Sequence, residues 1–187
     1  MEKEKVAEIL EKIRNSGFDF VIIGDTTVLL EMKRKEIEGD IDIFLINKSS
    51  IEEEEKIMEI AKENGWELGQ TWLGTPRIIA KSNDDEIQID FYENLMDFFV
   101  PEGIINSTRE VEIGERKFKV ISLEDYIVLK AFAYREEDEE ELRTIVKLIA
   151  EGKLRIDRNV ILEHLNFFED PKSLSKRLRE VGIILKT

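Results

Sequence analysis

The chain of 187 residues carries 42 acidic and 28 basic side chains, a net charge of -14, one histidine and no cysteine. This excludes disulfides, thiolate metal ligands and a cysteine nucleophile, and it argues against a histidine-rich zinc site or a Ser-His-Asp triad built on His164. So acidic a surface opposes sequence-independent binding to a long polynucleotide, and no apolar run approaches about 18 residues, so a cytoplasmic protein with no membrane partner is expected.

The length suits one domain, or one domain with an appended helical piece, and buries a core without staples. Heavy use of Glu, Lys and Ile, with glutamine only at Gln70 and Gln88, matches the balance of hyperthermophile proteins.

Val6, Ile9, Leu10 and Ile13 share one helical face, which predicts a helix over 3–15 ended by Asn15-Ser16-Gly17. The apolar run from Phe18 to Ile23 predicts a buried strand that stops at Gly24. A second helix is predicted from Asp25, with Val28, Leu29 and Met32 inward and Asp25 or Thr26 as its cap. Lys33, Arg34 and Lys35 then form a small basic cluster. Gly39-Asp40-Ile41-Asp42-Ile43-Phe44-Leu45 alternates before turning apolar, which predicts a half-buried strand with one acidic face, ending near Asn47. A third helix is predicted after Ser49 or Ser50, opened by the acids of 52–55, burying Ile57, Ile60 and Ala61 and ended by Gly65.

Short strands are predicted over 66–68, 71–73 and 77–81, and a turn at Asn83-Asp84-Asp85. Residues 87–91 alternate, with Gln88 and Asp90 opposite Ile87, Ile89 and Phe91. Segments 109–113 and 117–121 flank Gly114 as a hairpin. Helices follow over 123–134 and 138–151, and two shorter ones around Pro171 within 157–182. The order predicts an α/β (α+β) fold: a mixed sheet flanked by helices over 1–121, with a helical C-terminal portion over 122–187 packed on it.

Residues two apart on a strand share a face, so Asp40 and Asp42 point the same way, about 7 Å apart along the backbone. Two carboxylates so placed can lean together and bridge divalent ions about 3.5–4 Å apart. In so acidic a sequence, the pattern Asp-x-Asp also arises by composition, and a polar strand face is often only solvated. Two further features converge on the first reading. A strand that ends in Gly24 and enters a helix offers backbone N–H groups to a phosphate. Asp90, on the polar face of a later strand, supplies the third carboxylate that a two-ion phosphoryl-transfer site needs.

Phe20-Val21-Ile22-Ile23-Gly24-Asp25, Gly39-Asp40-Ile41-Asp42-Ile43 and Ile89-Asp90-Phe91 follow a known order: apolar strand, small-residue turn, helix, flanked Asp-x-Asp, third Asp. Downstream, Ile121-Ser122-Leu123-Glu124-Asp125-Tyr126-Ile127-Val128-Leu129-Lys130-Ala131 continues through Arg135 to Asp138 and Glu141. In these residues, spanning roughly 18–147, the sequence resembles the DNA polymerase β-like nucleotidyltransferase superfamily, most closely its small uncharacterised and abortive-infection-toxin-like branches.

The resemblance implies an enzyme that moves a nucleoside monophosphate from an NTP to an acceptor hydroxyl and releases pyrophosphate. Asp40, Asp42 and Asp90 would hold Mg2+ (or Mn2+), and Gly24, Asp25, Thr26 and Lys130 would surround the nucleotide. The acceptor is left open between a small molecule, a tRNA end and a protein side chain. The sequence departs from the family at Asp25, where Gly or Ser is usual, and carries Lys33-Arg34-Lys35 in place of an Arg/Ser/Thr pairing before Asp40. Asp25 either opposes a phosphate or simply caps its helix. The alternative to an enzyme is a degenerate relative that acts as a regulatory or partner-binding module.

Other residues carry less. Lys130 reads equally as a helix-surface lysine, and Arg77 and Arg135 are weaker phosphate candidates. Trp66 and Trp72 read as core or rim, His164 as structural, and Phe98 and Phe99 as packing under the sheet.

Overall fold

The computed structural model describes residues 1–82 and 85–185, so Asn83 and Asp84 of the predicted turn lie outside the described residues. Helix α1 (Lys3–Asn15) forms where its periodicity places it, burying Val6, Leu10 and Ile13 along one stripe. Strand β1 (Phe20–Ile23) is buried at every residue. The short helix α2 (Thr26–Glu31) leads to β2 (Asp40–Leu45), whose Ile41 and Ile43 are fully buried.

Helix α3 (Glu54–Glu63) starts later than the serines suggested. Strands β3 (Glu67–Gln70), β4 (Pro76–Ser82) and β5 (Asp85–Tyr92) follow. The Ser49 and Ser50 hydroxyls donate to Glu93 at 3.0 and 3.1 Å, tying the loop after β2 to the end of the neighbouring strand β5. Residues 71–73 are a turn, not a strand. Thr71 and Thr75 hydroxyls lie 2.7 Å apart, and the Thr71 N–H donates to the Thr75 carbonyl at 2.9 Å. These local bonds outcompete the β-propensity of the segment.

Helix α4 (Glu102–Asn106) follows Pro101 and is too short for periodicity to reveal. The hairpin β6 (Arg109–Ile113) and β7 (Arg116–Val120) leads to α5 (Leu123–Ala133), α6 (Glu136–Ala150), α7 (Arg158–His164) and α8 (Pro171–Glu180). Ser122 and Asp125 cap α5 reciprocally. Asp125 also meets buried His164 Nδ1 at 2.6 Å, which pins α7 to the start of α5 and makes His164 structural.

The sheet order is β3-β4-β5-β2-β1-β7-β6. The pairs β1–β7 and β2–β5 are parallel and the others antiparallel, the mixed sheet expected. One face packs Phe20, Ile22, Ile41, Ile43, Ile89 and Phe91 against α1 and α3. On the other, Val21, Phe44 and Tyr92 lie under the C-terminal helices. Strand alternation puts Asp40, Asp42 and Asp90 on this second face, continuous with its apolar part.

Candidate active site

At the end of β1 the backbone turns at Gly24 with φ +72°. A Cβ built there would collide with Asp42 Oδ2 and stand 3.0 Å from its Cγ, so glycine is required both by the backbone and by the approach of that carboxylate. Asp42 lies opposite Ile23 on β1 and opposite Asp90 on β5. Asp90 in turn lies opposite Arg77 on β4. Asp40 is exposed, Asp42 partly buried and Asp90 buried.

The charges are crowded. Burial, then the nearby charges of Asp90 and Asp25, push the Asp42 carboxyl up to about 7. Burial and Asp90 also raise Asp40, against the pull of Arg77. A cation between Asp40 and Asp42 would relieve both.

Asp90 already has one. Arg77 Nε and Nη2 donate to its two oxygens at 2.5 and 2.6 Å, and Nη2 lies 3.7 Å from Asp40 Oδ2. The hydrogen bond to Asp90 raises the already high Arg77 pKa. The Tyr92 hydroxyl adds a longer contact to Asp90 of 3.4 Å. The structure thus sets the three predicted ligands on one face without grouping them. Among the described residues, no three His, Asp or Glu side chains are arranged to hold a metal ion.

Asp25 does not cap α2. Its backbone is already helical, at φ -66° and ψ -23°, and its side chain makes no cap bond. Capping favours an extended residue whose side chain reaches back over the first turn. The carboxylate instead accepts the Tyr126 hydroxyl at 2.7 Å and lies 4.0 Å from Lys130 Nζ. Thr26 is buried, its hydroxyl directed to the Asp40 carbonyl at 3.5 Å. Lys130 is ion-paired to Glu141 and stands 3.2 Å from Asp138. Burial works to lower its pKa, but Glu141, Asp25 and Asp138 outweigh that and raise it.

Beside these groups opens a cavity of about 300 Å³, lined by Gly24, Asp42 and Lys130 together with Trp72, Tyr92, Phe98 and Phe132. Asp25, Thr26, Asp40 and Asp90 do not line it. Phe98 stacks on Tyr92 with ring centroids 4.7 Å apart, and Arg135 sits 5.3 Å over the exposed ring of Trp72.

Sequence reasoning passed over Tyr92 and Tyr126. Tyr126 had a signal: four residues before Lys130, it shares that helix face. Arg77, a minor candidate, lies opposite Asp90 because β4 and β5 pair antiparallel.

The chain is a nucleotidyltransferase-family protein, in keeping with the DNA polymerase β-like nucleotidyltransferase superfamily that its sequence resembles. Residues 2–180 match the family described as nucleotidyl transferase of unknown function (DUF2204), and the chain belongs to that family. The fold is similar to the crystal structure of an antigenic nucleotidyltransferase-like protein from Paracoccidioides brasiliensis, at 12% identity and a TM-score of 0.61, covering 96% of this chain and 87% of that one. A more distant likeness is to ANT(2'')-Ia in complex with adenylyl-2''-tobramycin, at 17% identity and a TM-score of 0.46, covering 70% of this chain and 75% of that one. No curated protein matches the sequence. Among the described residues, no helix is long and apolar enough to cross a membrane.

Proposed function

We propose that the protein is a cytoplasmic nucleotidyltransferase that moves a nucleoside monophosphate from an NTP to an acceptor hydroxyl and releases pyrophosphate, with Mg2+ (or Mn2+) as cofactor. Residues 1–121 would form the catalytic core and 122–187 its cover. The observation that carries this reading is the Asp42 carboxylate seated under the Gly24 turn, at the wall of a cavity of about 300 Å³. The donor set suits a hard cation: two carboxylates two residues apart, with Asp42 pushed up by burial and neighbouring anions. Bound there, Mg2+ would neutralise charge on the phosphates.

The protein's own groups supply the rest. Gly24, without a side chain, lets a triphosphate approach the backbone. Lys130, held by Glu141 and Asp138 at the cavity wall, would meet charge building on the leaving pyrophosphate. Trp72, Tyr92 and Phe98 provide flat surfaces for a base or for the acceptor. The cavity size and the net charge of -14 favour a small-molecule acceptor over a long nucleic acid.

Titration calorimetry with ATP, CTP, GTP and UTP, with and without Mg2+, tests the reading. At least one nucleotide should bind only with Mg2+, and pyrophosphate should appear when the acceptor is present. One observation favours the degenerate-module alternative: Arg77 and Lys130 are both already paired with acids. Absence of binding by all four nucleotides would overturn the transfer reading in favour of that alternative.

Asp25 offers a second check. Its side chain is 63% exposed, and Tyr126 keeps a second acceptor in Glu141 at 3.1 Å. Asp25→Ser should therefore cost under about 1 kcal/mol. It also removes one of the anions that raise Asp40 and Asp42, so Mg2+-NTP affinity should tighten about tenfold. Unchanged or weaker binding by calorimetry would clear Asp25 of opposing the phosphates.

A further inference from the structure

Resting on the nucleotidyl-transfer reading, we propose that this site takes a single divalent ion and that the Arg77 guanidinium stands where a second would lie, between Asp90 and Asp40. A two-ion site needs the third carboxylate to turn an oxygen to the metal. Here both Asp90 oxygens are committed to one guanidinium, at 2.5 and 2.6 Å, in a fork that matches a carboxylate edge to edge. The same Nη2 lies 3.7 Å from Asp40 Oδ2, so Arg77 spans the two acids that such an ion would bridge.

The pairing is built in from several sides. Arg77 and Asp90 are register partners on adjacent antiparallel strands, so the backbone holds them face to face. Asp90 is 2% exposed, and a divalent ion would have to strip it of its guanidinium without water to take the guanidinium's place on it. The guanidinium does not lose its proton in a protein, so its charge persists at any working pH. Asp42 is outside this pairing and remains, with Asp40, the place for the one ion.

Two consequences follow. Metal dependence should be that of one ion per bound nucleotide. Arg77 should also be needed for the count, because its loss exposes a third carboxylate beside the first two.

The test counts Mn2+ bound by the full-length protein saturated with the α,β-methylene analogues of the four ribonucleoside triphosphates. Paramagnetic resonance gives the number in solution, and manganese anomalous scattering gives positions in crystals. The expected result is one Mn2+ per bound nucleotide, touching Asp40 and Asp42, with Arg77 still on Asp90. Arg77→Gln should bind a second Mn2+, and Arg77→Gln with Asp90→Asn should return the count to one. Two ions in the unaltered protein, or any ion bound to Asp90, would overturn the inference and leave the transfer reading standing. A folded Arg77→Gln that still binds one ion would overturn the role of Arg77. No nucleotide-dependent Mn2+ in any form would overturn both. If Arg77→Gln does not fold, the count and positions in the unaltered protein decide the matter alone.

Discussion

Asp42→Asn is expected to abolish Mg2+-dependent NTP binding and, in metal-free buffer at pH 8, to raise the melting temperature. In the folded protein this carboxyl is pushed up to about 7, by burial first and then by Asp90 and Asp25, from an ordinary value of 3.8. Between those two values the unfolded state gives up the proton while the folded state keeps it. Stability is therefore lost as pH rises through that window, and the loss is complete above about 7. It is on the order of 4 kcal/mol at most. Asparagine carries no charge and escapes it. For a protein of this length the gain is about 10 °C in melting temperature at pH 8. At pH 4 the two proteins should melt together. Thermal unfolding followed by circular dichroism at both pH values, with a chelator present, measures this. A lower melting temperature for the variant at pH 8 would make Asp42 a structural residue.

Gly24→Ala should lose both stability and turnover. A non-glycine residue in the left-handed region costs about 1–2 kcal/mol, or about 5 °C here. The larger effect is local. The new Cβ would collide with Asp42 Oδ2 and fall 3.0 Å from its Cγ, so the carboxylate must rotate away from its place. A displacement of about 1 Å at such a site lowers turnover by about a hundredfold. Gly65→Ala separates the two effects. Gly65 has φ +68° and nothing within 4 Å of an added Cβ, so its variant should bear the backbone cost and keep full turnover. Equal turnover in the two variants would show that the Gly24–Asp42 contact has no part in the reaction.

Much of the framework could be read locally. The stripe of α1, the buried run of β1 and the alternation of β2 and β5 are visible because periods of 3.6 and 2 are properties of the backbone itself. The shared face of Asp40 and Asp42 followed from that period alone, whereas Asp90 joined it only through the pairing of β5 with β2. Ser122 before an apolar helix carried its cap in the sequence as well. The 71–75 turn was hidden because two threonines that favour strands bonded to each other instead. Helix α4 was hidden by its length of five residues.

Local pattern thus set which residues face which way: an acidic strand edge, a glycine turn before it, an apolar helix after the core. Which side chains stand beside one another was settled by long-range packing. Strand β5 lies parallel to β2 across the intervening β3 and β4, which brings Asp90 level with Asp42. Strand β7 lies parallel to β1, with Ile22 opposite Val120, and α5 then brings Tyr126 and Lys130 to Asp25. Such neighbours come from burying the faces of distant segments together, and no local period encodes that choice. Asp25 shows the difference most plainly: its sequence position suggests a helix cap, and a tyrosine 101 residues away takes its carboxylate instead.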